Sequence, residues 1–133
     1  MPEGHTLHRL AGHLTEAFAG RPVRVSSPQG RFADGAALVD GQVLAGAGAW
    51  GKHLFVAFAS GLRVHVHLGL IGQLDVHRGL DDVPAPQGAV RMRLVGEDPD
   101  GGWALGDLRG AITCAVLTPE QVEAVVRTQG PDP

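Results

Sequence analysis

Apolar residues recur at helical spacing near the start of the chain. Leu7, Leu10, Ala11, Leu14, Ala17 and Phe18 fall three or four positions apart, with His8, Arg9, His13 and Glu16 between them. That period predicts an amphipathic helix, which Gly20 stops and Pro22 seals. Beyond it the pattern changes. Up to residue 117, short apolar stretches are punctuated by glycine, as in brief strands joined by tight turns. Val23 and Val25 alternate with arginine and serine, and a second stretch runs over 42–49. Residues 53–59 and 62–68 flank Ser60-Gly61 and read as a hairpin. Further strands are predicted at 73–77, 90–95, 103–106 and 111–117, with a turn at Asp100-Gly101-Gly102. Residues 79–88, which hold Pro84 and Pro86, read as a loop. Thr118-Pro119-Glu120-Gln121 has the form of a capping box with proline at the first helical position, so a short second helix should run to about Arg127. Many short strands with a helix at each end predict a mainly β fold, an antiparallel β-sandwich or barrel with two flanking helices. The sandwich is the expected form.

Composition narrows this to one ordinary globular domain. The 133 residues are 44% hydrophobic and 19% charged, enough to bury a core. A net charge of −3 means that bulk electrostatics gives no support for nucleic-acid binding. The single cysteine, Cys114, excludes an internal disulfide and any Cys-x-x-Cys metal pair, and its apolar neighbours predict a buried, inert thiol. No signal peptide or long apolar stretch is visible, so a reducing, cytoplasmic setting is expected. Gly130-Pro131-Asp132-Pro133 reads as a linker, and a domain boundary is expected there.

Four groups of residues could carry chemistry. The first is Pro2, followed by Glu3. Within a chain, proline at this place merely opens a helix. If Met1 is removed, its nitrogen becomes a secondary amine able to attack an aldehyde carbon and form a charged imine. An α-amine titrates near ~8, well below an unperturbed lysine, so more of it is neutral and nucleophilic at pH 7. The second group is His65 and His67, two apart on a strand and therefore on one face with Arg63. Such a pair can begin a metal site but needs a third ligand, and the other histidines show no matching spacing. Satisfied polar residues lining a cleft are the alternative. The third is Lys52, in Gly51-Lys52-His53 ahead of an apolar strand, which gains meaning if it converges on Pro2. The fourth is Leu70-Ile71, held between Gly69 and Gly72 at a bend. Exposed, these two would form a wedge; composition favours core.

Together these features resemble the N-terminal domain of the formamidopyrimidine-DNA glycosylase / endonuclease VIII family, over essentially the whole chain. The resemblance rests on Pro2-Glu3-Gly4, the leucine-bearing first helix, Gly51-Lys52 before an apolar strand, His67-Leu68-Gly69-Leu70-Ile71-Gly72, and the closing Gly130-Pro131-Asp132, in that order. It is closer to the endonuclease VIII branch, including its actinobacterial-type relatives. The start reads Pro-Glu-Gly rather than Pro-Glu-Leu-Pro-Glu, and Gly106-Asp107-Leu108-Arg109-Gly110 lacks the Arg-Phe pair with which formamidopyrimidine glycosylases fill the helix.

The resemblance implies a bifunctional DNA glycosylase/AP lyase for oxidised bases, pyrimidines foremost. Pro2 would attack C1′ of the damaged nucleotide, Glu3 would act as acid/base on the sugar, and Lys52 would hold phosphate and assist proton transfer. Leu70, with Gly69 and Ile71 beside it, would fill the gap left by the extruded base, although the triple Gly69-Leu70-Ile71 matches neither the family's usual methionine nor its Gln-Leu-Tyr. It implies damaged DNA as partner, a monomer, no membrane, and no metal or cofactor in this chain. The family's helix–two-turn–helix and its zinc finger or zincless equivalent lie in a C-terminal half that these residues lack, so weak or no activity is expected of them alone. A non-catalytic metal- or ligand-binding sandwich built on His65 and His67 is the competing expectation.

Overall fold

The computed structural model describes residues 4–129. Helix α1 (Gly4–Phe18) is followed by β1 (Arg24–Ser26), α2 (Ala33–Val39), β2 (Leu44–Trp50), β3 (His53–Phe58) and β4 (Arg63–His67). The chain continues through β5 (Gln73–Leu80), β6 (Val90–Glu97), β7 (Trp103–Arg109), β8 (Thr113–Leu117) and α3 (Pro119–Gln129). All strand pairs are antiparallel, in two four-stranded sheets ordered β1-β6-β7-β5 and β2-β3-β4-β8. The predicted sandwich with its two terminal helices is the observed fold.

Helix α1 packs on β2 and β3 of one sheet and on β5, β6 and β7 of the other. Its periodic residues Leu7, Ala11, Leu14, Ala17 and Phe18 are all buried. Phe18 lies against Gly96 and Gly106, whose missing side chains leave room for the ring. Burial of such a ring contributes about 2–3 kcal/mol. Thr15 ties the helix to β2, accepting the Ala47 N–H at 3.0 Å while donating to the Ala11 carbonyl at 2.9 Å. Leu54, Val56, Val64 and Val66 complete the core from one sheet, and Met92, Leu94 and Leu108 from the other.

Helix α2 has no counterpart in the sequence expectations, which placed only strands between residues 20 and 117. Its seven residues include Gly35 and span two turns, too few to reveal a period. Tertiary packing holds it: Phe32, Ala36 and Val39 are buried, and Ser27 Oγ accepts the N–H groups of Gly30 and Phe32. Asp40, just past it, accepts hydrogen bonds from Arg24 Nε and the Val25 N–H, which hold its carboxyl below the usual range. The strand at 73–77 extends to Leu80, so the loop begins at residue 81. That loop folds back over the outer face of the first sheet, where Arg93 and Arg109 donate to the carbonyls of Pro84 and Gln87. Beneath it Arg93 and Asp107 form a buried two-point ion pair, with N···O distances of 2.9 and 3.2 Å. The capping box of α3 forms in both directions. The Thr118 N–H donates to Gln121 Oε1 at 2.8 Å, and the Gln121 N–H donates to Thr118 Oγ1 at 3.3 Å.

Candidate nucleic-acid interface

One end of the sandwich gathers residues from distant parts of the chain. Trp50 pairs with His53, leaving Gly51-Lys52 as a two-residue turn. Gly51, at the first loop position, has φ +58°, the sign a type II′ turn requires there. Lys52 is exposed at the tip. Because His53 also pairs with His67, the tip lies beside the end of β4, where the chain runs through Leu68 into Gly69-Leu70-Ile71-Gly72. Helix α1 points its start the same way. Gly20 reaches Leu44 and Thr15 reaches Ala47, so the helix runs antiparallel to β2 and begins toward the Trp50 end. Thr6, Leu7 and Leu10 of its first turns line a cavity of about 410 Å3 with Leu68, Gly72 and Leu74. The start of α1, Lys52 and the Leu70 loop thus share one end of the fold. Pro2 and Glu3 lie outside the described residues.

The Leu70 loop corrects the compositional expectation of core. Leu68 is buried, but Leu70 is 77% and Ile71 83% exposed. The strand expected over 111–117 begins only at Thr113, which leaves Ile112 in the β7–β8 turn, 64% exposed and packed on Gly69. Sequence reasoning missed Ile112 because an apolar run gives no sign of where its strand starts. Arg109 stands beside this end, opposite Gln73, but its guanidinium is engaged by Asp75 and the Gln87 carbonyl. Cys114 faces inward opposite Val66, and burial pushes its thiol up to about 12, so it stays protonated and inert.

Behind the Lys52 turn, His65 and His67 project from one face with Arg63, as the strand period requires. His53 joins them. The predicted two-residue turn at Ser60-Gly61 is in fact three residues, Ala59-Ser60-Gly61, closed by a hydrogen bond from the Gly61 N–H to the Phe58 carbonyl, with Gly61 at φ +98°. The extra residue shifts the register by one, which turns His53 from the Leu68 face to the His67 face. His53 Nδ1 and His65 Nε2 are 2.8 Å apart, one donating and the other accepting. His65 stacks on Phe55 at 5.1 Å, and the His53 ring also contacts that of His67 at 4.8 Å. Burial, reinforced by His53 and His67, lowers the pKa of His65 to about 4, so it is neutral at pH 7. The competing metal reading gains nothing from this arrangement. The Nε2 of His65 is engaged by His53, and among the described residues no group of three or more His, Cys, Asp or Glu side chains, these histidines included, is arranged to hold a metal ion.

Known proteins share both the sequence and the fold. Residues 1–114 match the family described as Formamidopyrimidine-DNA glycosylase N-terminal domain. Proteins named Endonuclease 8 1 from Mycobacterium bovis and Mycobacterium tuberculosis are 52% identical to the chain over 136 residues, covering 100% of it and 48% of each relative. The chain therefore spans about half the length of the curated relatives it matches. Among solved structures, MutM bound to DNA containing carbocyclic 8-oxo-G superposes with a TM-score of 0.69 at 18% identity, over 96% of this chain and 49% of that one. Lactococcus lactis Fpg bound to DNA with an abasic site superposes with a TM-score of 0.67 at 16% identity, over 97% of this chain and 47% of that one. The family match over most of the chain, the mycobacterial relatives and the shared sandwich lead to one conclusion: this chain belongs to the formamidopyrimidine-DNA glycosylase family, as its N-terminal domain, with endonuclease VIII relatives.

Proposed function

We propose that the chain is the catalytic N-terminal domain of a bifunctional DNA glycosylase/AP lyase that removes oxidised bases, pyrimidines foremost, from DNA in the cytoplasm. Once Met1 is cleaved, the Pro2 nitrogen attacks C1′ of the damaged nucleotide. The C1′–base bond breaks, the base leaves with a proton, and the sugar ring opens to an iminium linked to Pro2. Glu3 exchanges the proton on the ring oxygen. Loss of a C2′ proton then expels the 3′ phosphate and cuts the strand. A helix start carries partial positive charge, which disfavours protonation of an amine placed there and keeps Pro2 nucleophilic. Lys52 neutralises backbone phosphate and assists proton transfer. Leu70 enters the stack as the damaged base leaves it, offsetting part of the few kcal/mol that flipping costs.

The observation that supports this reading best is the meeting of three sequence-distant segments. The exposed Lys52 tip, the exposed Leu70 and the first turns of α1 share one end, and Pro2-Glu3 immediately precede that helix. A net charge of −3 leaves much of the phosphate binding to residues outside this chain. Residues 1–133 alone should accordingly show weak activity or none. Borohydride trapping on abasic-site DNA, with the protein as its gene encodes it, tests the mechanism. The wild type should give a covalent adduct and Pro2→Gly should not. No wild-type adduct, or equal trapping by the variant, would refute it.

A further inference from the structure

One sheet of the sandwich carries no carboxylate. From Gly41 to Leu74, a stretch that includes β2, β3 and β4, the sequence holds no aspartate or glutamate, and β8 holds none either, although the chain has 14 acidic residues. The ionisable side chains on the outer face of this sheet are His53, Arg63, His65 and His67, with Lys52 at the tip of the β2–β3 turn. The proposed mechanism gives the histidine pair His53–His65 no task. Yet the pair is built in. His65 is buried on the ring of Phe55, and its Nε2 lies 2.8 Å from His53 Nδ1. Burial keeps the pKa of His65 at about 4, so a proton arriving at the pair near neutral pH does not rest there. Strand β2 has no ionisable side chain, and β8 turns its single one, Cys114, inward. Helix α3, which lies against β4 and β8, carries Glu120, Glu123 and Arg127, all exposed. Helix α1, packed on β3, turns Arg9 and His13 to the Gly72–Gln73 side and carries His8 exposed.

We infer that His53 binds a DNA backbone phosphate in its charged form, and that His65 is the positioning residue that accepts its Nδ1–H. The inference rests on the glycosylase reading, in which Lys52 meets the backbone. In the free protein Lys52 and Arg63 oppose another positive charge on this face. A phosphate diester docked at the Lys52 tip reverses that balance, because its negative charge then stands beside His53, the next residue. His53 takes one proton from solvent. Its Nδ1–H donates to the unprotonated Nε2 of His65, and its Nε2–H donates to a phosphate oxygen. An imidazole suits the part because it changes charge near neutral pH, and hydrogen bonds between charged groups are the strong ones. His65 does not compete for the proton, so it stays an acceptor. Without it, the Nδ1–H of a charged His53 would lose its partner on the half-buried side of the ring.

The test measures binding to duplex DNA carrying a tetrahydrofuran abasic analogue, by fluorescence anisotropy, with the protein as its gene encodes it. Affinities are compared at about pH 8 and about pH 6.5 at one salt concentration. The wild type should bind more tightly at the lower pH. His65→Phe keeps a ring on Phe55 but offers no acceptor. It should bind within about twofold of the wild type at the higher pH and about fivefold more weakly at the lower. His65→Gln, whose amide oxygen reaches the place of Nε2, should recover most of that difference. His53→Gln, a change at a half-buried position, should lose the same pH-dependent gain. If His65→Phe keeps the wild-type pH dependence, or weakens binding equally at both pH values, the inference is overturned while the glycosylase reading stands. Should His65→Phe fail to fold, His53→Gln decides, and an unchanged pH dependence in that variant overturns the inference. If the wild type neither binds this DNA nor gives the borohydride adduct on abasic-site DNA, the glycosylase reading fails and the inference fails with it.

Discussion

Acid should destabilise this domain through His65, by an amount the structure allows to be worked out. Burial holds the folded pKa of His65 at about 4, against 6.5 for an unhindered imidazole. Between those values the unfolded chain takes up a proton that the folded chain refuses. Stability is therefore complete above about pH 6.5, falls as the pH drops toward 4, and levels off below. At pH 5 the two proton-binding polynomials differ by a factor of roughly 30, which corresponds to about 2 kcal/mol relative to neutral pH. With a denaturant slope near ~2 kcal/mol/M, the urea midpoint should drop by about 1 M between pH 7.5 and pH 5 from this residue alone. His65→Phe removes the titration yet keeps a ring to stack on Phe55. Other groups titrate in both proteins, so the quantity of interest is the difference between the two pH-induced shifts, read from urea melts followed by circular dichroism. The variant should retain about 1 M more of its midpoint on acidification. Equal shifts would mean that His65 is not held neutral by its surroundings, and the argument from burial would be wrong.

Two further substitutions probe other parts of the fold. Asp107→Ala leaves the Arg93 guanidinium buried without its carboxylate, and should lower unfolding stability by about 3–5 kcal/mol, measured by urea denaturation. Gly72→Ala drives a methyl group into the Leu68 carbonyl, so the Leu70 loop must rebuild. On the glycosylase reading, duplex excision by the protein as its gene encodes it should fall well below the wild-type rate, while the amide signals of the β1–β6 pair, at the far edge of the sheet from β5, stay in place by NMR.

What could be read from the sequence was what is local. The period of Leu7 to Phe18 carries α1, and Thr118 to Gln121 carries the start of α3, because each element's own hydrogen bonds and buried face are encoded within a dozen residues. The hairpin of β3 and β4 was visible, but its register was not. One residue more in the turn at Ala59-Ser60-Gly61 moves His53 to the other face, and nothing in the turn sequence alone distinguishes two residues from three. Helix α2 was invisible because it is held by packing rather than by its own propensity. Lys52 and Leu70 could be named from the motifs around them, yet their shared location follows from the pairing of His53 with His67, and the seat of Ile112 on Gly69 joins turns that no spacing rule connects.

The partner of β1 has a consequence for how the molecule is made. Strand β1 pairs Val25 with Leu94, so it has no ladder until β6 has been synthesised, about 70 residues later. At roughly 5–20 residues per second, that interval lasts some 4–14 seconds on the ribosome. Helix α1, whose apolar face also rests on β5, β6 and β7, waits as long for the smaller part of its cover. Strands β2, β3 and β4, by contrast, follow one another and can close as a meander while the rest is still emerging. The nascent chain must therefore keep an apolar helix and an unpaired strand at its front end in solution for seconds. During that time the β2–β3–β4 meander is the natural surface for α1 to rest on, and it offers the helix the same face it keeps in the finished protein.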